Sequence, residues 1–294
     1  MSDIGLGKEN TIALVVTHHP DAGLSARFGQ LAQHFDRVIV VDNHSQDTAL
    51  AAVRDLDNSR GNVSHIFNDE NVGIAAALNQ GCRFAAEHGA DWVAMFDQDS
   101  TPAGDLLIRL ANEWQTEPDR ARIGLIGVNF QSKSGKTLLP AGTGLIDARV
   151  VITSGSLLNL SAWQQVGPFR EDFFIDEVDH EYAIRLRRNG WHVKVSRRLL
   201  MAHAIGSPRS RRIGGWQPVL SHHSPLRRYY MVRNRILLAR EHIGFDPRFV
   251  ASQLARSIRE TATVLAFEPQ KLDKLIAMSR GLIDGFRGRT GRVE

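Results

Sequence analysis

The stretch Thr11–Thr17 (TIALVVT) is a continuous apolar run, and the polar pair His18 and His19 follows it. A short, uninterrupted aliphatic run is typical of a strand buried on both faces of a parallel sheet. Similar runs lie at 37–41 (RVIVV), 63–67 (VSHIF) and 92–96 (WVAMF), with helical patterns at 24–35 and 73–87. Strands alternating with helices predict an α/β fold with a mostly parallel sheet flanked by helices.

Three of these four strands end in polar side chains. In open α/β sheets, ligands bind beyond the carboxyl ends of the strands. We therefore expect these residues to share one rim of the sheet, although turns and helix caps use the same residue types. The residues are Thr17 and His18 after the first strand, Asp42 and Asn43 after the second, and Asp97, Gln98 and Asp99 after the fourth.

The second half of the chain has a looser pattern. It predicts strands at 123–130, 150–158, 191–195 and 199–203, a polar helix at 176–188 and a loop at 204–224. From residue 226 onward the pattern is helical, with breaks near Gly244, Pro269 and Gly285. We therefore predict an α/β domain at 1–224, with halves at about 1–103 and 104–224, and a helical extension at 225–294.

Composition limits the class of protein. The chain has 294 residues, of which 43% are hydrophobic and 23% charged, so it is long enough to bury a sizeable core. Its single cysteine, Cys82, excludes an internal disulfide framework and suits a reducing compartment. Residues 1–11 lack the pattern of a secretory signal, and no apolar run is long enough to span a membrane. These features predict a cytoplasmic location.

Charge is distributed unevenly. Residues 1–196 hold 17 basic and 25 acidic side chains, a net −8, whereas residues 197–294 hold 19 and 7, a net +12. A basic tail on an acidic body predicts an anionic partner. Three interpretations of the tail stay open: a helical cap on the first domain, a peripheral surface for an anionic membrane, and nucleic-acid binding. Because the tail carries no recognisable nucleic-acid motif, we predict no nucleic-acid partner.

Two carboxylates one residue apart, Asp97 and Asp99, follow an apolar strand directly. Such a pair suits a hard cation, Mg²⁺ or Mn²⁺, which would bridge a diphosphate. A helix cap before Pro102 is the simpler interpretation. The phrase Asp97-Gln98-Asp99-Ser100-Thr101 also matches haloacid-dehalogenase-like phosphatases, in which Asp97 would be the nucleophile. That family carries the phrase on its first strand, however, and here three strands precede it.

A second acidic cluster covers residues 171–181 (EDFFIDEVDHE). Acidic residues in a first helical turn interact well with the helix dipole and need no function. A carboxylate beside the apolar residues 173–175 would nevertheless lose water and gain basicity, as a general base requires. His203 ends a short apolar stretch and is a candidate metal ligand. No Gly-x-Gly-x-x-Gly follows the first strand, which argues against a Rossmann dinucleotide site.

Five segments occur in a recognisable order. They are 40–45 (VVDNHS), 71–75 (NVGIA) with 79–81 (NQG), 97–100 (DQDS), 174–182 (FIDEVDHEY) and 225–234 (PLRRYYMVRN). In these segments the chain resembles family 2 glycosyltransferases of the GT-A fold. Within that family it is most similar to bacterial rhamnosyltransferases, including enzymes of rhamnolipid synthesis.

The resemblance implies a role for each site residue. Asp179 would be the general base, with Asp176 as the second candidate because many family members have Glu-Asp where this chain has Val178-Asp179. Asp99 and His203 would hold Mg²⁺ or Mn²⁺. Arg212, with Arg209 and Arg211, would stabilise the departing nucleotide. The nucleotide-sugar site as a whole would comprise Thr17, His18, Asp42, Asn43, Asn71, Gly73, Asn79, Asp97, Gln98, Asp99 and Arg212.

The resemblance also implies a reaction. L-rhamnose would be transferred with inversion from dTDP-L-rhamnose to a hydroxyl of a glycan, a glycolipid or a lipid-linked acceptor in cell-surface glycan synthesis. The enzyme would be cytoplasmic, with possible peripheral contact at the inner face of the cytoplasmic membrane. Another nucleotide-sugar donor is the main alternative, and a phosphatase or a non-catalytic nucleotide-sugar-binding protein is a more distant one.

Overall fold

The computed structural model describes residues 5–56, 61–132, 137–203, 209–210, 219–220 and 223–293. The strands are β1 Thr11–Thr17, β2 Val38–Asp42, β3 Val63–Phe67, β4 Trp92–Asp97, β5 Ser100–Pro102, β6 Ile123–Ser132, β7 Leu145–Asp147, β8 Ser156–Asn159, β9 His192–His203, β10 Arg209–Ser210 and β11 Val219–Leu220. The α-helices are α1 Leu24–His34, α2 Asp47–Arg54, α3 Ile74–Glu87, α4 Leu106–Gln115, α5 Leu160–Val166, α6 Val178–Arg188, α7 Pro225–His242, α8 Pro247–Phe267 and α9 Lys271–Arg287.

The main sheet has the strand order β3-β2-β1-β4-β8-β6-β9-β5, and β7 also pairs with β9. Strands β1 to β4 are mutually parallel where they pair, whereas β8 runs antiparallel to both β4 and β6. All seven residues of β1 are buried, as its unbroken apolar sequence predicts, and hydrophobic clusters cover both faces of the sheet. The predicted mostly parallel α/β fold is therefore confirmed.

The predicted strand at 150–158 is too long. Only Ser156–Asn159 pairs with its neighbours, because Ser156 closes a turn by donating from N and Oγ to the carbonyl of Thr153, at 3.1 and 2.6 Å. The two strands predicted at 191–195 and 199–203 are instead one strand, β9, whose register against β6 shifts near Asn129. Apolar runs therefore located both segments but not their ends.

The predicted helix break at Gly285 is also wrong. Helix α9 continues to Arg287, and Gly285 lies where a Cβ atom would come within 2.7 Å of Cβ of Ile236 and 2.9 Å of the Arg233 carbonyl. This glycine, like Gly281 one turn earlier, therefore serves close packing of α9 on α7. The predicted breaks near Gly244 and Pro269 are confirmed, since α7, α8 and α9 end and begin around them.

Helix α7 is largely buried along its length, including Arg228, Arg233, Asn234 and Arg235. The helical-cap interpretation of residues 225–242 therefore agrees with the structure. Among the described residues, no helix has an apolar stretch long enough to cross a bilayer. Most of the predicted loop at 204–224 lies outside the described residues; within it, β10 and β11 form a short antiparallel pair.

Candidate active site

The carboxyl ends of β1 and β2 meet at Asp42, which is buried and lies opposite Thr17 in the parallel register. Thr17 Oγ1 donates to Oδ1 of Asp42 at 2.7 Å. Ser45 donates to the same carboxylate from its backbone N at 2.8 Å and from Oγ at 2.6 Å. These charge-assisted hydrogen bonds hold the loop after β2 against the end of β1.

His18, Asn43 and Asn71 form the second part of this rim. Nδ2 of Asn43 donates to Oδ1 of Asn71 at 2.9 Å, and Oδ1 of Asn71 also accepts from the Gly73 backbone N at 3.0 Å. His18 contacts the Asn43 carbonyl through Nδ1 at 2.8 Å and Nδ2 of Asn71 through Nε2 at 3.3 Å. A neutral ring with its proton on Nδ1 satisfies both contacts. The loops after β1, β2 and β3 are thus held together.

Gln98 connects this network to the end of β4. Its Oε1 accepts from the His18 backbone N at 2.8 Å, and its Nε2 donates to the His18 carbonyl at 3.2 Å. Arg27 donates from Nε to the Gln98 carbonyl at 2.9 Å. We call the connected residues Thr17, His18, Asp42, Asn43, Asn71, Gly73 and Gln98 the donor rim. The expected convergence of strand ends is therefore visible in the hydrogen bonds.

Asp97 lies at the end of β4 among other charges. Loss of water on burial, followed by repulsion from Asp99 and Asp179, raises the pKa of Asp97 to about 7, although Arg227 opposes the rise. Asp99 and Asp179 therefore both lie near enough to act on the Asp97 carboxylate, which relates the end of β4 to the start of α6. Carboxylates that repel one another in this way can be stabilised by a bound cation.

His203 is placed by its backbone. The antiparallel pairing of β5 with β9 sets His203 opposite Ser100, the residue that follows Asp99. The side chains of His203 and Arg209 are outside what the structure describes, and Arg211 and Arg212 are outside the described residues altogether. Their predicted roles stay predictions.

The acidic segment Glu171–Asp179, here called the acidic loop, has an unusual backbone. The predicted helix start at Asp176 is wrong: α6 begins at Val178, and Phe174, Asp176 and Glu177 have φ of 64°, 63° and 62°. Non-glycine residues with positive φ are uncommon and concentrate at functional sites. Asp176 therefore lies in the strained loop, whereas Asp179 lies in the first turn of α6.

Gly73 brings the acidic loop against the donor rim. Its φ is +86°, and a Cβ atom there would lie 2.6 Å from the carbonyl oxygen of Phe174. The next residue, Ile74, donates its backbone N to that same carbonyl at 2.8 Å. Glycine at position 73 is therefore required both by its dihedral angle and by the close approach of the two backbones.

Helix α7 holds the acidic loop from the other side. Nδ2 of the fully buried Asn234 lies 2.9, 2.8 and 3.0 Å from the carbonyl oxygens of Phe173, Ile175 and Asp176. Nη2 of Arg233 donates to the Phe173 carbonyl at 3.1 Å. These contacts give the backbone carbonyls of the irregular loop donors from α7, in addition to the bond from Ile175 N to the Phe173 carbonyl at 2.8 Å inside the loop.

The two candidate bases differ in their partners. Arg227 donates to Asp176 from Nη2 at 3.0 Å and from Nε at 3.1 Å. Burial raises the pKa of Asp176, and Arg227 opposes that rise. Asp179 accepts a hydrogen bond on Oδ1 from the His180 backbone N at 2.8 Å, and no lysine or arginine among the described residues forms a salt bridge with it. Asp176 is thus held by an arginine side chain, whereas Asp179 has no such salt bridge among the described residues.

A buried charge network behind Asp179 was not predicted from the sequence. Glu177 is bonded to Nδ1 of His180 at 2.6 Å and to Nε of Arg235 at 2.7 Å. Burial alone would raise the pKa of Glu177, but these two partners lower it to about 2. Burial would lower the pKa of His180, but the carboxylates of Asp179 and Glu177 raise it to about 9. This network holds Glu177, which precedes α6, and His180, which lies in its first turn beside Asp179.

Asn79 is not brought to the donor rim. It is fully buried in α3, and its amide exchanges hydrogen bonds of 2.9 Å with both the N and the carbonyl of Phe169. Its Nδ2 also donates to Glu171 at 2.9 Å. We therefore assign Asn79 a positioning role at the start of the acidic loop instead of contact with a nucleotide.

The segment 291–293 also reaches the site, and nothing in its sequence signalled this. Gly291 donates its backbone N to the Asp172 carbonyl at 2.7 Å. Nη1 of Arg292 lies 3.2 Å from both the Asn71 carbonyl and Oε2 of Glu70. This segment therefore joins the acidic loop to the loop that carries Asn71.

One further acid–histidine group, Glu181, Glu241 and His242, brings its potential ligand atoms within 4.8 Å of one another. Arg185 already donates to both carboxylate oxygens of Glu181, at 2.9 and 3.0 Å. A bound cation there would meet this guanidinium, so we interpret the group as a structural ion-pair network.

Comparison with known structures agrees with this architecture. The chain is similar to Staphylococcus aureus TarS 1-349 in complex with UDP-GlcNAc, with a TM-score of 0.62, 15% identity and coverage of 94% of this chain and 81% of that one. It is also similar to the mannosyltransferase PcManGT from Pyrobaculum calidifontis in complex with GDP-Man and Mn²⁺, with a TM-score of 0.58, 15% identity and coverage of 95% and 88%. The fold is that of the GT-A glycosyltransferases.

Sequence comparison then gives the family. Residues 25–158 match the family model described as glycosyl transferase family 2. The dTDP-rhamnosyl transferase RfbF of Shigella flexneri is 30% identical over 297 aligned residues, which cover 96% of this chain and 97% of that protein. The chain belongs to glycosyl transferase family 2 and is a glycosyltransferase. The phosphatase alternative for Asp97 is therefore wrong.

Proposed function

We propose that this glycosyltransferase transfers L-rhamnose from dTDP-L-rhamnose to a hydroxyl group of a glycan, a glycolipid or a lipid-linked acceptor. The name of the Shigella flexneri relative supports the donor, since that protein aligns with nearly the whole chain. The observation that carries the proposal is the close approach of Gly73 in the donor rim to the Phe174 carbonyl of the acidic loop, which also accepts a hydrogen bond from Ile74 N at 2.8 Å. Donor and acceptor groups can react only where such sites meet.

We assign the donor rim to the nucleotide sugar. Polar atoms from the ends of three neighbouring strands line one edge of the sheet, where open α/β sheets bind ligands. Arg212, with Arg209 and Arg211, belongs to this proposal as a cationic partner for the departing dTDP, on the strength of the family resemblance alone. UDP and GDP sugars, which the two structural neighbours bind, are the alternative donors.

Inversion follows if Asp179 is the general base. The acceptor oxygen forms its bond to the anomeric carbon while the bond between that carbon and the dTDP oxygen breaks, and Asp179 takes the hydroxyl proton. Asp179 suits this task because no salt bridge with a lysine or arginine of the described residues neutralises it, whereas Asp176 is held by Arg227. A single displacement needs no covalent intermediate on the protein.

The residues also suit a divalent cation, Mg²⁺ or Mn²⁺. Burial, and then repulsion from Asp99 and Asp179, raises the pKa of Asp97, and a bound cation would offset that repulsion. We propose Asp99 and His203 as the ligands, because the backbone of His203 lies opposite the residue after Asp99. When bound, such a cation neutralises charge that builds on a leaving diphosphate.

We further propose that the enzyme acts in the cytoplasm, at the inner face of the cytoplasmic membrane, in cell-surface glycan synthesis. An acceptor joined to a lipid would be presented at that surface. The net charge of +12 on residues 197–294 favours an anionic partner of this kind.

A ligand panel tests the donor assignment. We expect dTDP and dTDP-L-rhamnose with Mn²⁺ or Mg²⁺ to raise the melting temperature more than UDP or GDP does, since a ligand stabilises the state it binds. Equal shifts for the three nucleotides would leave the family assignment intact but overturn the donor. Full transfer activity in excess EDTA would remove Asp99 and His203 from a metal role.

A further inference from the structure

Helices α8 and α9 turn their acidic side chains inward. Glu260 pairs with Arg235 at 2.6 Å, Glu268 pairs with Arg228 at 2.6 Å, and Asp284 accepts from the Tyr229 hydroxyl at 3.0 Å. All three contacts are to α7, whose arginines at these positions are buried. The acids of the two helices are therefore mostly used inside the protein.

Most cations of these helices are exposed, although Lys274 is buried against Glu268 and three of the exposed arginines also pair with Glu260 or Asp284. The exposed basic residues from α8 to just after α9 are Arg248, Arg256, Arg259, Lys271, Arg280, Arg287 and Arg289. Asp273 is the exposed acid of α9. The exposed charged side chains of the two helices are thus mostly cationic.

The exposed side of α9 also carries apolar residues. On α9, Met278, Gly281 and Gly285 face α7, while Leu272, Ile276 and Ile283 are 70%, 59% and 49% exposed. At about 3.6 residues per turn, these exposed residues fall on the side opposite the buried stripe. A surface helix packed on one neighbour is normally polar on that side.

Helix α8 repeats this arrangement. Ile258 and Leu265 are 72% and 49% exposed and lie two turns apart on one stripe, away from the buried Phe249 and Gln253. We call the exposed residues Ile258, Leu265, Leu272, Ile276 and Ile283, with the cations around them, the outer face of α8 and α9.

We infer that this outer face docks on the surface of an anionic lipid bilayer. Apolar side chains ringed by lysine and arginine are the two features that hold a helix in the headgroup region of an anionic membrane. A two-fold interface with a second copy would bring the cationic ring against itself. Membrane docking itself does not depend on the proposed function. The suggestion that docking brings the enzyme to a lipid-linked acceptor does rest on that function.

The position of the face in the fold supports this purpose. The acids beneath the face hold the buried arginines of α7, and the same helix holds the acidic loop through Asn234 and pairs Arg227 with Asp176. The segment that follows α9 contacts the acidic loop at Asp172. A membrane under this face would therefore be connected through one packed helix to the proposed general base.

Vesicle flotation of the full chain at low salt tests the inference. We expect co-flotation with phosphatidylcholine vesicles containing phosphatidylglycerol, and none with phosphatidylcholine alone. The double variant Ile276→Ser, Ile283→Ser should lower the partition coefficient about tenfold or more, because both exposed apolar side chains are lost. Arg259→Gln with Arg287→Gln should weaken binding and its salt dependence.

Ile108→Ser is the matched control, because Ile108 is 55% exposed on α4 of the α/β body. Its partition should equal that of the unchanged protein. Equal flotation of the Ile276→Ser, Ile283→Ser variant would overturn the inference, and so would a dimer in light scattering that this variant dissociates. Thermal shift with dTDP reports the proposed function separately, since nucleotide binding requires neither the vesicles nor these side chains.

Discussion

The donor rim and the acidic loop are two halves of one site, but they are built in different ways. In the donor rim, side chains at the ends of neighbouring strands bond to one another, as Thr17 does to Asp42 at 2.7 Å. In the acidic loop, the backbone is strained at Phe174, Asp176 and Glu177, and helix α7 supplies donors to its carbonyls. The first half depends on the sheet, whereas the second depends on residues about 60 positions later in the chain.

The difference explains the motif at 225–234. Each residue held at positive φ costs roughly 1–3 kcal/mol and persists only where the surroundings enforce it. Asn234 and Arg233 enforce it by occupying the carbonyls of the loop, which places Asp179 in the first turn of α6. The helices after residue 225 are therefore part of how the base is positioned.

The sharpest test of the acidic loop is Asp179→Asn. If Asp179 is the base, transfer should fall by about 10³-fold, within the range measured for general bases. The affinity for dTDP should change only a few-fold, because the donor rim does not include Asp179. Single-turnover transfer and nucleotide titration measure the two quantities. Asp273→Asn, an exposed acid on α9, is the control, and substantial residual transfer would assign the base to Asp176 instead.

Asn234→Ala tests whether the loop depends on α7. The variant leaves the carbonyls of Phe173, Ile175 and Asp176 without their shared donor, so unfolding should become easier by about 1–3 kcal/mol. We expect kcat to fall by about tenfold or more while the affinity for dTDP is kept, since a small displacement of a base is costly. Denaturant unfolding and transfer kinetics measure these effects.

Asn189→Ala is the control for Asn234→Ala, because Asn189 is exposed at the end of α6 and its amide bonds locally to the Arg185 carbonyl. An Asn234→Ala enzyme with normal kcat would show that the acidic loop keeps its shape without α7. The two halves of the site would then be less different than their contacts indicate.

The strand pattern was sufficient to bring together the strand-end residues of the donor rim, whereas Asn71 and Gly73 came from the family resemblance. Apolar runs such as Thr11–Thr17 located the strands, and parallel topology alone brings their polar ends together. It was not sufficient for the acidic loop, where the residues at 176–179 favour an ordinary helix start. Helix α6 begins later because Asn234 and Gly73 act on the loop from distant parts of the chain, and no local pattern records such contacts.

The pH dependence of the free energy of unfolding tests the charge network beside the acidic loop. The pKa of His180 is raised to about 9 in the folded chain, above its ordinary value of about 6.5. The resulting stabilisation is fully present below about pH 6.5 and is lost as the pH rises through about 9. In urea unfolding, His180 should contribute a decrease of about 1–2 kcal/mol over this range, and His180→Gln should remove that contribution, leaving the smaller one from Asp97 below about pH 8.

His88→Gln, a change at an exposed histidine at the end of α3, should leave that decrease unchanged. If His180→Gln retained the full pH dependence, the buried pair with Glu177 would not be its source. The charge network beside the acidic loop would then not be what makes the stability of the fold depend on pH.

The smallest effect should come from Arg292→Ala, which cuts the connection between the two halves. Nη1 of Arg292 lies 3.2 Å from the Asn71 carbonyl, and its guanidinium lies 5.8 Å from the centre of the Phe174 ring. Because Arg292 is half-exposed, we expect only about a threefold rise in the donor KM with little change in kcat. Arg188→Ala, at an exposed arginine on α6, should change neither. A fall in kcat without a change in KM would instead show that segment 291–293 supports the acidic loop alone, so that the donor rim stands independently of everything after residue 290.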